Sequence, residues 1–118
     1  MSQVQVLNTA RIWLCDAEGP RLSSGRDATD IIGDAYGSDV VVIALPAARL
    51  TDEFFDLSTR LAGEFVQKFV NYGVALAIVG DISAHVATST ALRDFVYESN
   101  RGRHLWFVDS LEALAERL

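Results

Sequence analysis

Two sets of polar side chains in this sequence fall at the two ends of a predicted sheet. The first is Gln67, Lys68, Asn71 and Tyr72 together with Glu98, Ser99, Asn100 and Arg101. Asn71-Tyr72-Gly73 and Asn100-Arg101-Gly102 each close a predicted helix that feeds a strand. Both sets therefore project at the same end of a sheet, where its strands begin. Amides, cations, a carboxylate and a phenol at neighbouring helix ends would make a polar binding pocket or docking surface. Helix termination explains the same residues more simply. Asn and Gly are what a helix stop requires, and Lys68 and Arg101 complement the negative end of the helix dipole.

The second set, Asp81, Ser83 and His85, lies with Pro46 at the opposite end. In open α/β sheets, ligands sit beyond the carboxyl ends of the strands. Asp81 and His85 are of the types that serve as base and acid. Nothing in their spacing fixes their separation, and Asp and Ser in such loops are common turn-formers. The sequence assigns no catalytic residue, and this trio stands as an alternative ligand site. Cys15 is the one cysteine. It sits in a strand-like run where a lone cysteine is usually a small buried hydrophobe, and it has no partner in the chain for a disulfide. His85 and His104 lack cysteines or carboxylates at ligand spacing, so neither a metal nor another cofactor is expected. Neither Gly-x-Ser-x-Gly nor Gly-x-x-x-x-Gly-Lys-Ser/Thr occurs, which removes the main support for common hydrolase and nucleotidase readings. Arg93 and Asp94 are adjacent and expected to make local ion pairs.

Composition bounds these readings. The 118 residues are 50% hydrophobic and 22% charged, which suits one compact domain with its own core. A net charge of −6 argues against nucleic-acid binding, which normally needs a basic stripe. The longest apolar run, Val40 to Ala48, is too short to cross a bilayer, and the start of the chain has no secretory pattern. A soluble, cytoplasmic protein without membrane contact is the expectation.

The elements that must position these residues follow from periodicity. Val4 to Leu7 and Arg11 to Cys15 flank Asn8-Thr9-Ala10 as a hairpin. Ser24 and Asp27 form a capping box ahead of Ala28, Ile31, Ile32, Ala35 and Tyr36, one helical face that Gly37 ends. Asp39 to Ala44 is continuous and β-branched, a strand buried on both faces and stopped by Pro46. A long helix then runs from Thr51 to Tyr72, with Phe54, Leu57, Leu61, Phe65 and Phe69 inward. Asp56, Arg60, Glu64 and Lys68 can pair along its outside. That helix turns at Gly73 into a buried strand, Val74 to Val79. A loop through His85, a helix from about Ser89 to Asn100 with Thr88 or Ser89 as its cap, a strand His104 to Val108, and a closing helix capped by Asp109 or Ser110 complete the chain.

The order is ββαβαβαβα. Right-handed crossovers make this a single-domain α/β fold: a mixed sheet, parallel in its centre, with helices mainly on one face. The other face then needs cover. Trp13 and Trp106 are both expected there, and an exposed apolar patch would favour a homodimer.

Two stretches carry a resemblance. Ala62-Gly63-Glu64-Phe65-Val66-Gln67-Lys68-Phe69-Val70-Asn71-Tyr72-Gly73 through Gly80-Asp81, and Leu92-Arg93-Asp94-Phe95-Val96-Tyr97-Glu98-Ser99-Asn100-Arg101-Gly102, resemble a group of short bacterial proteins, the domain of unknown function 4180 family. This resemblance implies no activity. A weaker one is to anti-sigma-factor antagonist domains of the STAS type, which share the element order and bind partner proteins. Many of those are switched by phosphorylation of a serine that opens the helix after the third strand. Here that start reads Thr51-Asp52-Glu53-Phe54-Phe55, without Asp-Ser-Ser-Gly, and the nearest hydroxyls are Thr51 and Ser58. The expectation is a small protein-interaction or regulatory module that takes a protein partner, with an enzyme or small-ligand binder at Asp81, Ser83 and His85 as the alternative.

Overall fold

The computed structural model of the chain describes residues 2–118. Gln3–Leu7 (β1) and Ala10–Leu14 (β2) pair antiparallel around Asn8 and Thr9. Both turn residues have positive φ, 48° and 72°, the geometry whose twist matches a two-residue hairpin. Gly25–Ala35 (α1) opens with the anticipated capping box: the Ser24 hydroxyl accepts from the Asp27 N–H, and the Asp27 carboxylate accepts from the Ser24 N–H. Its buried residues are Ala28, Ile31, Ile32 and Ala35, the stripe read from spacing. Val42–Pro46 (β3) is buried from Val42 to Leu45. Pro46 is its last residue rather than lying beyond it.

The expected long helix from Thr51 is broken. Asp52–Phe55 (α2), a 3₁₀ turn at Leu57–Thr59 and Leu61–Tyr72 (α3) take its place. The cause is a run of short polar side chains that compete for backbone groups. Asp56 accepts from the Ser58 N–H at 3.1 Å and from its hydroxyl at 2.7 Å. The Thr59 hydroxyl donates to the carbonyls of Glu53 and Asp56 and accepts from the Leu61 N–H. Arg60 then takes a left-handed conformation, φ 66°. The expected ladder of Asp56, Arg60, Glu64 and Lys68 does not form, and no ion pair joins these four. The apolar stripe survives the break, because Phe54, Phe55, Leu61, Ala62, Phe65 and Phe69 are all buried.

Gly73, at φ 70°, ends α3 by donating to the carbonyls of Phe69 and Val70. The chain passes at once into Ala75–Val79 (β4), as the sequence predicts. The expected loop after it holds a short helix, Ser83–Ala87 (α4). Ser89 caps Thr90–Asn100 (α5), and Ser110 caps Leu111–Arg117 (α6) after Leu105–Val108 (β5).

The sheet runs β1-β2-β3-β4-β5, with only the first pair antiparallel. Helices α1 to α5 pack on the face that carries Ile43, Leu45, Leu76, Ile78, Leu105 and Phe107. On the other face, α6 alone sets Leu114 among Ile12, Val42, Ala44, Ala77 and Val108. The two tryptophans do not share a face. Trp13 aligns with Ile43 on the side of the helices, whereas Trp106 aligns with Ala77 on the other. Alternation within a strand fixes parity along that strand, and register between strands is a separate variable. No helix among the described residues is long and apolar enough to cross a membrane.

Candidate functional site

The polar set at the strand-start end divides in three. On α3, the Gln67 amide donates to the Asn71 side-chain oxygen at 2.9 Å. Gln67 and Lys68 line a hollow facing α1, while Tyr72 lines a separate one of about 220 Å³ with Tyr36, Val40 and Val74. Tyr36 and Tyr72 are 79% and 61% exposed, large for aromatic rings. At the end of α5, Glu98 and Arg101 approach to 4.0 Å, and the Arg101 guanidinium lies 5.6 Å from the Tyr97 ring centre. Both are exposed contacts of small energetic weight.

Asn100 is employed differently. Its Nδ2 donates to the Phe107 carbonyl at 3.2 Å, and its Oδ1 accepts from the Phe107 N–H at 2.7 Å. Phe107 is the third residue of β5, the last strand of the sheet. One side chain thus occupies both outward backbone groups of Phe107, in the middle of the edge that a further strand would need. Arg117 adds a hydrogen bond to the Asn100 carbonyl and lies over the Trp106 ring, 5.0 Å from its centre. The Trp106 indole donates to the Gly102 carbonyl at 2.9 Å. The two helix ends are closed differently: Gly73 caps the first in a left-handed conformation, whereas α5 ends on Arg101 with right-handed φ −88° and the Gly102 N–H donates to the Ser99 carbonyl. Nothing in the sequence pattern marks Asn100 as a strand seal, because its target lies across a turn.

The opposite sheet edge is open. With only Asn8 and Thr9 in the turn, Leu7 and Ala10 form the first hydrogen-bonded pair. Alternation then makes Gln5 and Gln3 face β2, and turns the N–H and C=O groups of Val4 and Val6 outward. Gln3-Val4-Gln5-Val6-Leu7 contains no charge and no proline. Edge strands are usually blunted by charge, proline or a bulge, and none of these lies within β1.

At the carboxyl ends of β3 and β4, Asp81 accepts from the Ser83 N–H at 2.9 Å. The Ser83 hydroxyl and this N–H hold the Asp81 carboxyl below the usual carboxylate range. Asp81 and Ser83 thus act together as the turn that starts α4. His85 is half-buried, its ring stacked on Phe55 with centres 4.0 Å apart. It stands between a hollow of about 300 Å³, shared with Arg21, Pro46, Asp52, Gly80 and Asp81, and one of about 340 Å³, shared with Asp52, Asp56, Thr88 and Ser89. Arg21 and Asp52 are the residues that sequence reading missed. The parallel bridge between Leu22 and Leu50 draws both of their segments to this end of the sheet.

The other reactive groups are occupied or enclosed. Burial pushes the Cys15 thiol up to about 12, so it stays protonated at neutral pH. The Thr51 hydroxyl is buried without a hydrogen-bond partner, and the Ser58 hydroxyl is bound to Asp56. Among the described residues, no three or more His, Cys, Asp or Glu side chains are grouped to hold a metal ion.

Comparison with known sequences gives a family. The model described as Domain of unknown function (DUF4180) matches residues 7–118, a span that includes both stretches on which the resemblance was drawn. No curated protein and no solved structure matches the chain.

Proposed function

The chain belongs to the DUF4180 family, and we propose that within it this protein is an interaction module that pairs with a second copy of itself, edge to edge along β1. The observation that carries this reading is the contrast between the two sheet edges. Asn100 occupies the outward groups of Phe107 in β5, whereas β1 offers the outward groups of Val4 and Val6 with no charge or proline among its own residues to deter a partner strand. Strand addition to such an edge is a general mode of recognition.

A second copy fits this edge better than an unrelated chain. An antiparallel twofold centred on Gln5 sets Val4 of one copy opposite Val6 of the other, so the strand is complementary to itself. Each copy carries a net charge of −6, and β1 is a stretch where two copies can meet without bringing like charges together. The resemblance of the element order to STAS domains, which bind partner proteins, supports the same class of function.

Light scattering over a concentration series tests it, with Val6→Pro as the variant. Proline removes the outward N–H and leaves the bonds to β2 in place. The expected result is a reversible dimer that Val6→Pro dissociates while circular dichroism is unchanged. A monomer at every concentration, or a dimer that Val6→Pro leaves intact, overturns the reading.

The hollow beside His85 favours a second reading, a small-ligand site using Asp81, Ser83 and His85 with Arg21 and Asp52. It predicts stabilisation by a metabolite in a thermal-shift screen, abolished in Asp81→Asn with the fold retained. Absence of any stabilising compound counts against it.

A further inference from the structure

A hollow of about 650 Å³ lies between the start of α1 and the outer face of α3. Arg26, Arg60 and Lys68 line it, with Glu64 as the one carboxylate. Among the described residues, none of the three cations forms an ion pair or donates a side-chain hydrogen bond. In a chain with 10 Lys and Arg against 16 Asp and Glu, three unpaired cations around one hollow run against the overall charge. We propose that this groove binds a small phosphate-bearing molecule.

Two features unrelated to charge point to the same place. Gly63 stands inside α3 and lines the groove, yet a Cβ there would meet nothing within 4 Å. Glycine in a helix interior costs about 1 kcal/mol relative to alanine, and packing gives no reason to accept that cost here. An open groove floor does. Arg60 occupies a left-handed conformation, φ 66°, which is unfavourable for a residue with a side chain. That conformation ends the 3₁₀ turn at the residue that lines the groove between α1 and α3.

The phosphate class follows from the donors. Guanidinium groups match phosphate oxygens in paired hydrogen bonds, and lysine adds a compact positive charge. The first-turn amides of α1, at Gly25 and Arg26, contribute the positive end of a helix dipole beside them. Gly25 brings the backbone at the start of α1 close to Lys68: a Cβ there would be in ordinary contact with the lysine Cε, at 3.5 Å. A long nucleic acid is a poor occupant, since the acidic remainder of the surface would repel its backbone.

Titration of the ¹⁵N-labelled full chain with inorganic phosphate and with pyrophosphate, at constant ionic strength, tests the proposal. Saturable amide shifts are expected at residues 25–26 and 60–68, with pyrophosphate binding more tightly than phosphate. Loss of a charge-assisted hydrogen bond in Lys68→Ala or Arg60→Gly should weaken pyrophosphate binding by roughly tenfold or more. Arg60→Gly should at the same time raise the melting temperature, because glycine accepts that backbone freely. Gly63→Ala should also raise it while weakening binding, which separates a groove role from a folding defect. Shifts that do not saturate, shifts centred elsewhere, or affinity unchanged in all three variants would overturn the site. A phosphoserine peptide binding more tightly than pyrophosphate would overturn its assignment to a small molecule.

Discussion

Thr9 is β-branched and sits at φ 72°, where its Cβ crowds the backbone by roughly 1–2 kcal/mol. The hairpin imposes that angle, because both central residues of its turn need positive φ. Asn8 tolerates the geometry and threonine does not. Thr9→Gly should therefore stabilise the protein by about 1 kcal/mol, seen as a higher urea midpoint with unchanged slope. Asp81 makes the opposite kind of contribution, one that depends on pH. Its carboxylate is favoured in the folded protein by the Ser83 hydroxyl and N–H. A carboxyl whose folded pKa lies below its unfolded value stabilises the fold above the unfolded pKa. That stabilisation is lost as pH falls through the folded one. Protection of the Ser83 amide from hydrogen exchange should then decline on the acid side of about pH 4, the ordinary aspartate value. Asp81→Asn should flatten the decline; a profile identical in wild type and variant would show that Asp81 does not hold this turn.

At the scale of elements, the bond between the last residue of α5 and the edge of β5 makes the sharpest prediction. Asn100→Ala strips the Phe107 N–H and C=O of both partners, and the cost should be about 1–3 kcal/mol, measured by denaturant unfolding. Asn100→Asp should recover only part, because a carboxylate accepts from the N–H but meets the carbonyl with like polarity. Equal stability of wild type and Asn100→Ala would mean that water replaces the seal. The same residue shows what the sequence made legible. Its place at a helix end was readable from Asn100-Arg101-Gly102, and its job was not, because Phe107 is reached only through the fold. Likewise the stripe from Phe54 to Phe69 revealed a buried helical face. The break at 56–60 arises from hydroxyls and a carboxylate whose bonds leave the periodicity untouched. The cap at Ser24 was legible, and those at Ser89 and Ser110 were legible to within one residue, because a cap is a local matter of spacing. The two candidate clusters were read from shared sheet ends, which brought Asp81 and His85 to one hollow. Which side of a helix each member of the other cluster faces was settled by packing, so Lys68 and Tyr72 went to different hollows.

For the molecule as a whole, the sheet divides two unequal layers. The face under α1 to α5 is built from large side chains, among them Phe54, Phe65, Phe69 and Leu92. The other is small, with Ala44 and Ala77 in its floor and α6 as its helical cover. Leu114 is the only residue of α6 that is fully buried, so attachment of that cover depends on one side chain more than on any other. Leu114→Ala should cost about 2–5 kcal/mol, the range for a leucine truncated in a core. Its consequence differs from that of an equal loss in the larger layer. Phe65→Ala opens a cavity that surrounding helices still enclose, and unfolding should remain a single transition. Leu114→Ala weakens the hold of α6 on Ile12, Val42 and Val108, and the sheet itself remains backed by five helices. The expected signature is loss of exchange protection in residues 111–117 before the sheet opens, with binding of a hydrophobic dye at denaturant concentrations below the main transition. If α6 instead exchanges together with β3 and β4 in that variant, the two layers form one cooperative unit, and the second face does not depend on its single helix in the way its packing implies.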